Sequence, residues 1–327
     1  MTIATSSKSD DNRPALAMSA RTPVSLACAA AGLLACAAAP AQAPRADHSV
    51  TEDSPAYALV YGSDRSGAGD LYVDCLDGSE ARLLVGSPAA EWGPRWVEGL
   101  GLLFVRDDDE GGAAILRWTL EGETLVLEHN PAVDEAPVWD PTGEHLFFPA
   151  PGPAGDGLTV MRAQVVDGQL AEVQPLGAQP GVGPWVSPDG RQVAFVHAGE
   201  VYVVPGAGGE ARNLTQTPDS SEGHPRWHPL EPRVMLWSDR SGQVELWSVP
   251  LDGGAWTQLS DTPGNDLLGA WSPDGAQLAI GSTRADEDWE VFIAEPDGSA
   301  ARRLSERPGF DGDPQFVPAE AVGCAEP

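Results

Sequence analysis

Basic side chains are scarce in this sequence. Its 327 residues carry 19 Lys and Arg against 49 Asp and Glu, a formal charge of −30 at pH 7. A surface of that sign repels a phosphate backbone, and no basic stripe offsets it, which excludes nucleic acid as a partner. The acidic excess suits cations or basic protein faces, although its commonest meaning is solubility. Cysteine is also rare, with four in the chain, and none has zinc-site spacing. No Gly-x-Ser-x-Gly nucleophile elbow, Walker loop or dinucleotide fingerprint occurs. The six histidines form no motif, and no long segment keeps a helical apolar period.

What is abundant is punctuation. Thirty-seven Gly and 30 Pro divide the chain into short apolar runs, the pattern of an all-β protein. One phrase recurs, clearest at Trp271-Ser272-Pro273-Asp274-Gly275. Looser copies begin at Trp139, Trp185 and Trp227, and degenerate ones at Trp96 and Phe316. Successive intervals among these aromatics, from Trp96 to Phe316, are 43, 46, 42, 44 and 45 residues. A recurrence of that length with several strands per unit predicts the blades of a β-propeller. Within Gly269–Ser305 the reading gives a short first strand at Ala270-Trp271, a second at 277–281, a third at 289–294 and an outer strand at 302–304. Gly78, Gly122, Gly168 and Gly253 mark the turn before the outer strand in other units, where a positive φ suits Gly.

The ends of the repeat complement each other. Ala58-Leu59-Val60-Tyr61 reads as a second strand with no first strand before it, and 313–318 as a first strand with only a short tail after it. The economical arrangement is a ring of six four-stranded blades in which the C-terminal strand completes blade I, removing exposed sheet edges. The propeller is assigned to residues 55–327, with no room for a separate hydrolase domain. Cys75 and Cys324 fall in the first and last segments, and a bond between them would staple the closing blade; two separate buried thiols are the alternative.

The bends Ser63-Asp64-Arg65-Ser66-Gly67 and Ser238-Asp239-Arg240-Ser241-Gly242, joined to the Trp-Ser-Pro-Asp-Gly turns, resemble the TolB-type (WD40-like) propeller repeat. The resemblance spans roughly residues 54–318 and is strongest in units four to six. Unit two has Val97-Glu98-Gly99 in place of the usual turn, and 149–157 reads as a Pro/Gly-rich insertion. The resemblance implies an envelope protein that works through protein contacts.

Residues 1–36 read as an export signal. The small apolar run 22–35 follows Arg21, is too short for a stable membrane span, and ends at Leu33-Leu34-Ala35-Cys36, which resembles the lipobox of bacterial lipoproteins. By that resemblance Cys36 is lipidated, and the lipid is the only membrane contact expected. Cleavage after Ala41-Gln42-Ala43 is the competing reading, and Met18 competes with Met1 as initiator. Residues 37–54, rich in Ala and Pro, read as a flexible tether.

Candidate site residues come from the face shared by the loops before first strands and those between second and third strands. That face is expected to gather Glu91, Glu135, Glu222, His224, Asp266 and Asp311, with Asp134 and Asp313 nearby. Carboxylates converging there would suit Ca²⁺, which prefers oxygen ligands, although Gly181-Val182-Gly183 breaks the ring of acids. The plain alternative pairs each acid locally with a bend Arg or a turn N–H. No catalytic residue is assigned and no cofactor is required. The expectation is a monomeric, exported, periplasmic or outer-membrane propeller that binds an envelope protein or peptide without catalysis. The competing expectation is a propeller enzyme acting on a small molecule or carbohydrate, with a divalent metal at the channel mouth.

Overall fold

The computed structural model describes residues 57–107, 112–127, 137–152, 157–285 and 288–324, all within the compact unit Val50–Pro327. Cys36, the signal, the tether and Glu135 lie outside the described residues.

Six four-stranded antiparallel sheets follow one another around a ring. Blade I takes its first strand from the end of the chain: β24 (Asp311–Pro318) pairs with β1 (Tyr57–Ser63), followed by β2 (Asp70–Asp74) and β3 (Arg82–Val85). Blade II is β4 (Glu91–Val97), β5 (Gly101–Asp107), β6 (Ala113–Thr119) and β7 (Gly122–Leu127). Blade III is β8 (Val138–Trp139), β9 (Leu146–Pro151), β10 (Leu158–Val166) and β11 (Gln169–Pro180). Blade IV is β12 (Val182–Val186), β13 (Gln192–His197), β14 (Glu200–Pro205) and β15 (Arg212–Asn213). Blade V is β16 (Glu222–Trp227), β17 (Arg233–Ser238), β18 (Glu245–Pro250) and β19 (Thr257–Gln258). Blade VI is β20 (Asp266–Trp271), β21 (Leu278–Ser282), β22 (Glu290–Ala294) and β23 (Arg302–Arg303).

The second strands are apolar on both faces because each sits between two neighbouring blades. Ala58 and Val60 pack with Leu102 and Phe104 of blade II, while Leu59 and Tyr61 pack with Ala279 and Val291 of blade VI. The strand period of two thus sends alternate residues into different interfaces. Each buried Val, Leu or Phe among them contributes roughly 1.5–3 kcal/mol, and a Leu59→Ala change would loosen the I–VI contact.

Turn chemistry follows the sequence pattern. Ser272 donates through Oγ to Asp274 at 2.5 Å and accepts from Gln277 N at 2.9 Å, while Asp274 accepts from Ala276 N at 3.0 Å. His228 fills the equivalent place in blade V, where its Nδ1 accepts from the N–H groups of Leu230 and Glu231. The four turn glycines Gly78, Gly122, Gly168 and Gly253 have φ of 88°, 125°, 75° and 79°.

Two details depart from the sequence reading. The segment taken as the start of an insertion at Pro149 is strand, with Pro149 opposite Val160 and Pro151 opposite Leu158. Pro tolerates this because it gives up only its N–H. The second is a shift of phase in blade IV. Val186 pairs with Val193 as Trp227 pairs with Val234, and Trp185 pairs with Ala194 as Arg226 pairs with Met235. Val186 therefore fills the slot between blades that an aromatic residue holds elsewhere, and Trp185 stands at the preceding position. The closing blade carries a bond between Cys75 and Cys324, whose Cα atoms are 5.5 Å apart.

Candidate functional site

Charged residues occupy two kinds of place. One recurs from blade to blade, where first strands begin. Asp311, Glu91, Glu222 and Asp266 sit there at 3%, 1%, 1% and 0% exposure, so their carboxylates depend on protein partners. Arg65 Nη2 donates to both oxygens of Asp311 at 3.0 Å and lies over the Tyr72 ring. Arg284 Nη2 donates to Asp266 at 2.9 Å, and Arg106 Nε to Glu91 at 2.6 Å. Glu222 instead accepts from the hydroxyls of Ser238, Ser220 and Thr217. Arg240, expected to cross to a carboxylate, is exposed and lies 4.2 Å over the Trp256 ring. In blade I the Tyr61 hydroxyl beside Arg65 is pushed up to about 12, chiefly by burial. Among the described residues, no group of three or more His, Cys, Asp or Glu side chains is placed to hold a metal ion.

The other place does not repeat. Arg95 of blade II and Arg226 of blade V share one carboxylate, Asp313 of blade I: Arg95 Nη1 to Oδ2 is 3.1 Å and Arg226 Nη2 to Oδ1 is 3.3 Å. Both guanidinium carbons also lie over the ring of Trp185 from blade IV, at 4.3 and 3.6 Å from its centroid. Blades II and V are opposite in a ring of six, as are I and IV. Side chains from opposite blades meet only over the central axis, so these four residues form a cluster at the axial mouth.

Local backbone explains how they reach it. In blades I, II, IV and V a register shift interrupts the first strand. The residue before the Pro has positive φ in each: Asp313 49°, Gly93 62°, Gly183 59° and His224 47°. Gly adopts this conformation freely, whereas a side chain there costs on the order of 1–3 kcal/mol. Blades I and V carry that strain with Asp313 and His224, the two titratable members of the mouth. Each arginine is steadied by its own chain, with Nη1 donating to Pro94 O at 2.5 Å and Pro225 O at 3.1 Å.

The electrostatics of the mouth are those of crowded cations. Burial and the Arg95 charge pull the Arg226 guanidinium down to about 9. His224 is open to solvent, yet the protein around it, with Arg226 and Arg95, lowers its imidazole to about 4. Burial would raise the Asp313 carboxyl, but Arg95 and Arg226 overcome it and hold the group below its usual value. At neutral pH the mouth holds two cations, one anion and a neutral imidazole.

Of the residues singled out from sequence, Asp313 lies at the centre of this cluster and His224 beside it; Glu91, Glu222, Asp266 and Asp311 face their own blades. Arg95, Arg226 and Trp185 were not anticipated. The available signal was the repeated tripeptide Pro-Arg-Trp, at Pro94-Arg95-Trp96 and Pro225-Arg226-Trp227, three units apart. A separate cleft of about 550 Å³ is lined by residues including Tyr61, Arg65, Asp74 and Arg303. Its arginines Arg65, Arg303 and Arg307 are already engaged by Asp311, Glu290 and Glu80.

No protein-family model matches the chain. Over 92 residues it is 30% identical to the Tol-Pal system protein TolB of Anaeromyxobacter dehalogenans (strain 2CP-C), covering 28% of this chain and 21% of that protein. An uncharacterized protein of Agrobacterium fabrum is 26% identical over 206 residues, 59% of this chain and 66% of its own length. The chain therefore spans about a fifth of the TolB relative and just under two thirds of the other. Among solved structures, TolB from Acinetobacter baumannii superposes with a TM-score of 0.66 at 16% identity, covering 79% of this chain and 66% of that one. A TolB from Agrobacterium tumefaciens gives 0.58 at 17% identity, with 79% and 90% covered. Oligogalacturonate lyase from Vibrio parahaemolyticus gives 0.50 at 13%, with 76% and 74% covered. The fold is that of a TolB-like six-bladed propeller.

Proposed function

We propose that the protein is an exported, non-enzymatic envelope scaffold that docks a protein or peptide at the axial mouth of its propeller. The observation that carries this reading is the mouth itself: charged residues of three blades meet across the axis over Trp185 of a fourth, and two of those blades hold a side chain at positive φ there. Strain retained against local preference is a mark of a working site. Likeness to a protein named for the Tol-Pal system supports an envelope setting. Export is supported by the Leu33-Leu34-Ala35-Cys36 string, and the Cys75–Cys324 bond suits an oxidising compartment.

Capture from envelope extract tests the docking role. Trp185→Ala is expected to abolish capture, and Arg191→Gln, on an exposed turn with 84% of its side chain accessible, to leave it intact. Equal capture by both variants would remove the mouth from the interface. Anchoring has a separate test: Cys36→Ser should move the protein from the membrane fraction to the soluble one, and an unchanged distribution refutes lipidation.

The enzyme reading draws on the fold shared with a lyase. Elimination by a lyase needs a base that titrates near the working pH to take the proton. The described mouth residues offer arginines, a paired carboxylate and a neutral imidazole, which are binding groups first.

A further inference from the structure

The axial mouth is a positive focus in a chain of net charge −30. Two guanidiniums face one internal carboxylate, leaving one unit of positive charge uncompensated. Among the described residues, Arg95 Nε and Nη2 and Arg226 Nε donate to no protein acceptor. None of the three is a buried atom lacking a partner, so they face water. A low-dielectric mouth strengthens the pull of such donors on an arriving anion. Trp185, pressed by both guanidiniums, holds their planes in place, and planar guanidinium pairs carboxylates in a fixed fork.

We propose that the axial mouth binds a carboxylate presented by its ligand, held by Arg95 and Arg226 beside Trp185. Asp313 already shows that a carboxylate fits between the two arginines, with one oxygen toward each. Charge decides between anions. One uncompensated positive unit matches a monoanion, whereas a phosphate dianion would bring excess negative charge into an acidic protein. The groups around Arg226 are Arg95 from β4, Asp313 from β24 and His224 from its own strand. His224 is neutral at pH 7 and adds no charge. An incoming carboxylate relieves the repulsion between the guanidiniums that Asp313 only half offsets. Asp313 is thus an internal competitor that sets how tightly an external carboxylate is held. The inference rests on the docking reading only for the source of the carboxylate, an acidic peptide residue.

The test uses the full chain and isothermal titration with defined probes: a blocked tripeptide Ala-Glu-Ala, its Ala-Gln-Ala counterpart, acetate and inorganic phosphate. The Glu peptide is expected to bind and the Gln peptide to fail up to about 10 mM. Arg95→Gln and Arg226→Gln should each weaken the Glu peptide about tenfold or more. Asp313→Asn should tighten it about tenfold, because the competitor is neutralised while Asn still accepts a positive φ. This gain keeps the test informative should an arginine variant fold poorly. Acetate binding as well as the Glu peptide keeps the site and makes a free small carboxylate its ligand; peptide preference assigns it to a peptide. Equal binding of the Glu and Gln peptides, tighter binding of phosphate, or no gain in Asp313→Asn overturns the proposal. The two readings separate cleanly. Glu-peptide binding with partner capture unchanged in Arg226→Gln sinks the docking function and leaves the carboxylate site, while lost capture without Glu-peptide binding does the reverse.

Discussion

The acids at the starts of the first strands and the charges at the axial mouth are chemically alike, yet they serve opposite ends. At the strand starts Asp311, Glu91, Glu222 and Asp266 each find a partner on their own blade, and the arrangement recurs around the ring. At the mouth Arg95, Arg226, Trp185 and Asp313 come from four blades, and no other blade copies them. Charge that follows the repeat holds each blade together. Charge that breaks the repeat is free to answer to something outside. Burial alone does not separate the two, because Arg95 and Arg226 are as enclosed as Arg65.

Stability is the sharpest way to break this distinction. Asp311→Ala leaves Arg65 enclosed and uncompensated, and should cost about 3–5 kcal/mol in urea unfolding. Arg95→Gln at the mouth should cost only about 1 kcal/mol, because Asp313 keeps Arg226 and one repulsive contact disappears. Similar losses in the two variants would mean that both sets are structural. His224→Gly should raise stability by roughly 1 kcal/mol, since Gly relieves the positive φ; a loss would show that the imidazole contributes packing that the geometry does not suggest.

The smallest expected effect is in pH. The folded-state value of His224 is lowered to about 4 from an ordinary 6.5, so between those values the unfolded chain binds more protons. Stability from this group is therefore full above about pH 6.5 and falls as pH drops toward 4. Solvent access at His224 screens the effect and keeps it modest. Native protein should lose more stability than His224→Gly between about pH 7 and pH 5, as measured by urea midpoints. Parallel losses would remove His224 from the electrostatics of the mouth.

The ring was legible because its signals are local and repeated. A Ser-Pro-Asp-Gly turn declares itself through hydrogen bonds spanning two to five residues, as at Ser272 and Asp274, and alternating strands carry their burial in their composition. The mouth was not legible from the same signals. Arg95 and Arg226 are 131 residues apart in sequence, and only the angular order of six blades makes them neighbours. Trp185 misled for a related reason: it sits one place before the aromatic slot that Val186 fills, so the repeat absorbed the residue that departs from it. The carboxylates that drew attention were those the repeat displays most often, which are the ones it consumes.

Closure by β24 also fixes an order of events. β1 is made well before its partner, with some 250 residues of chain between them. Blade I stays a three-stranded fragment until β24 has been made, and the contact that seals it is among the most distant in the described chain. Such late, long-range pairing delays folding. Until β24 arrives, β1 presents an unpaired sheet edge, the kind of edge that a competing strand can pair with. The Cys75–Cys324 bond then ties the segment after β2 to the segment after β24 and holds that edge closed.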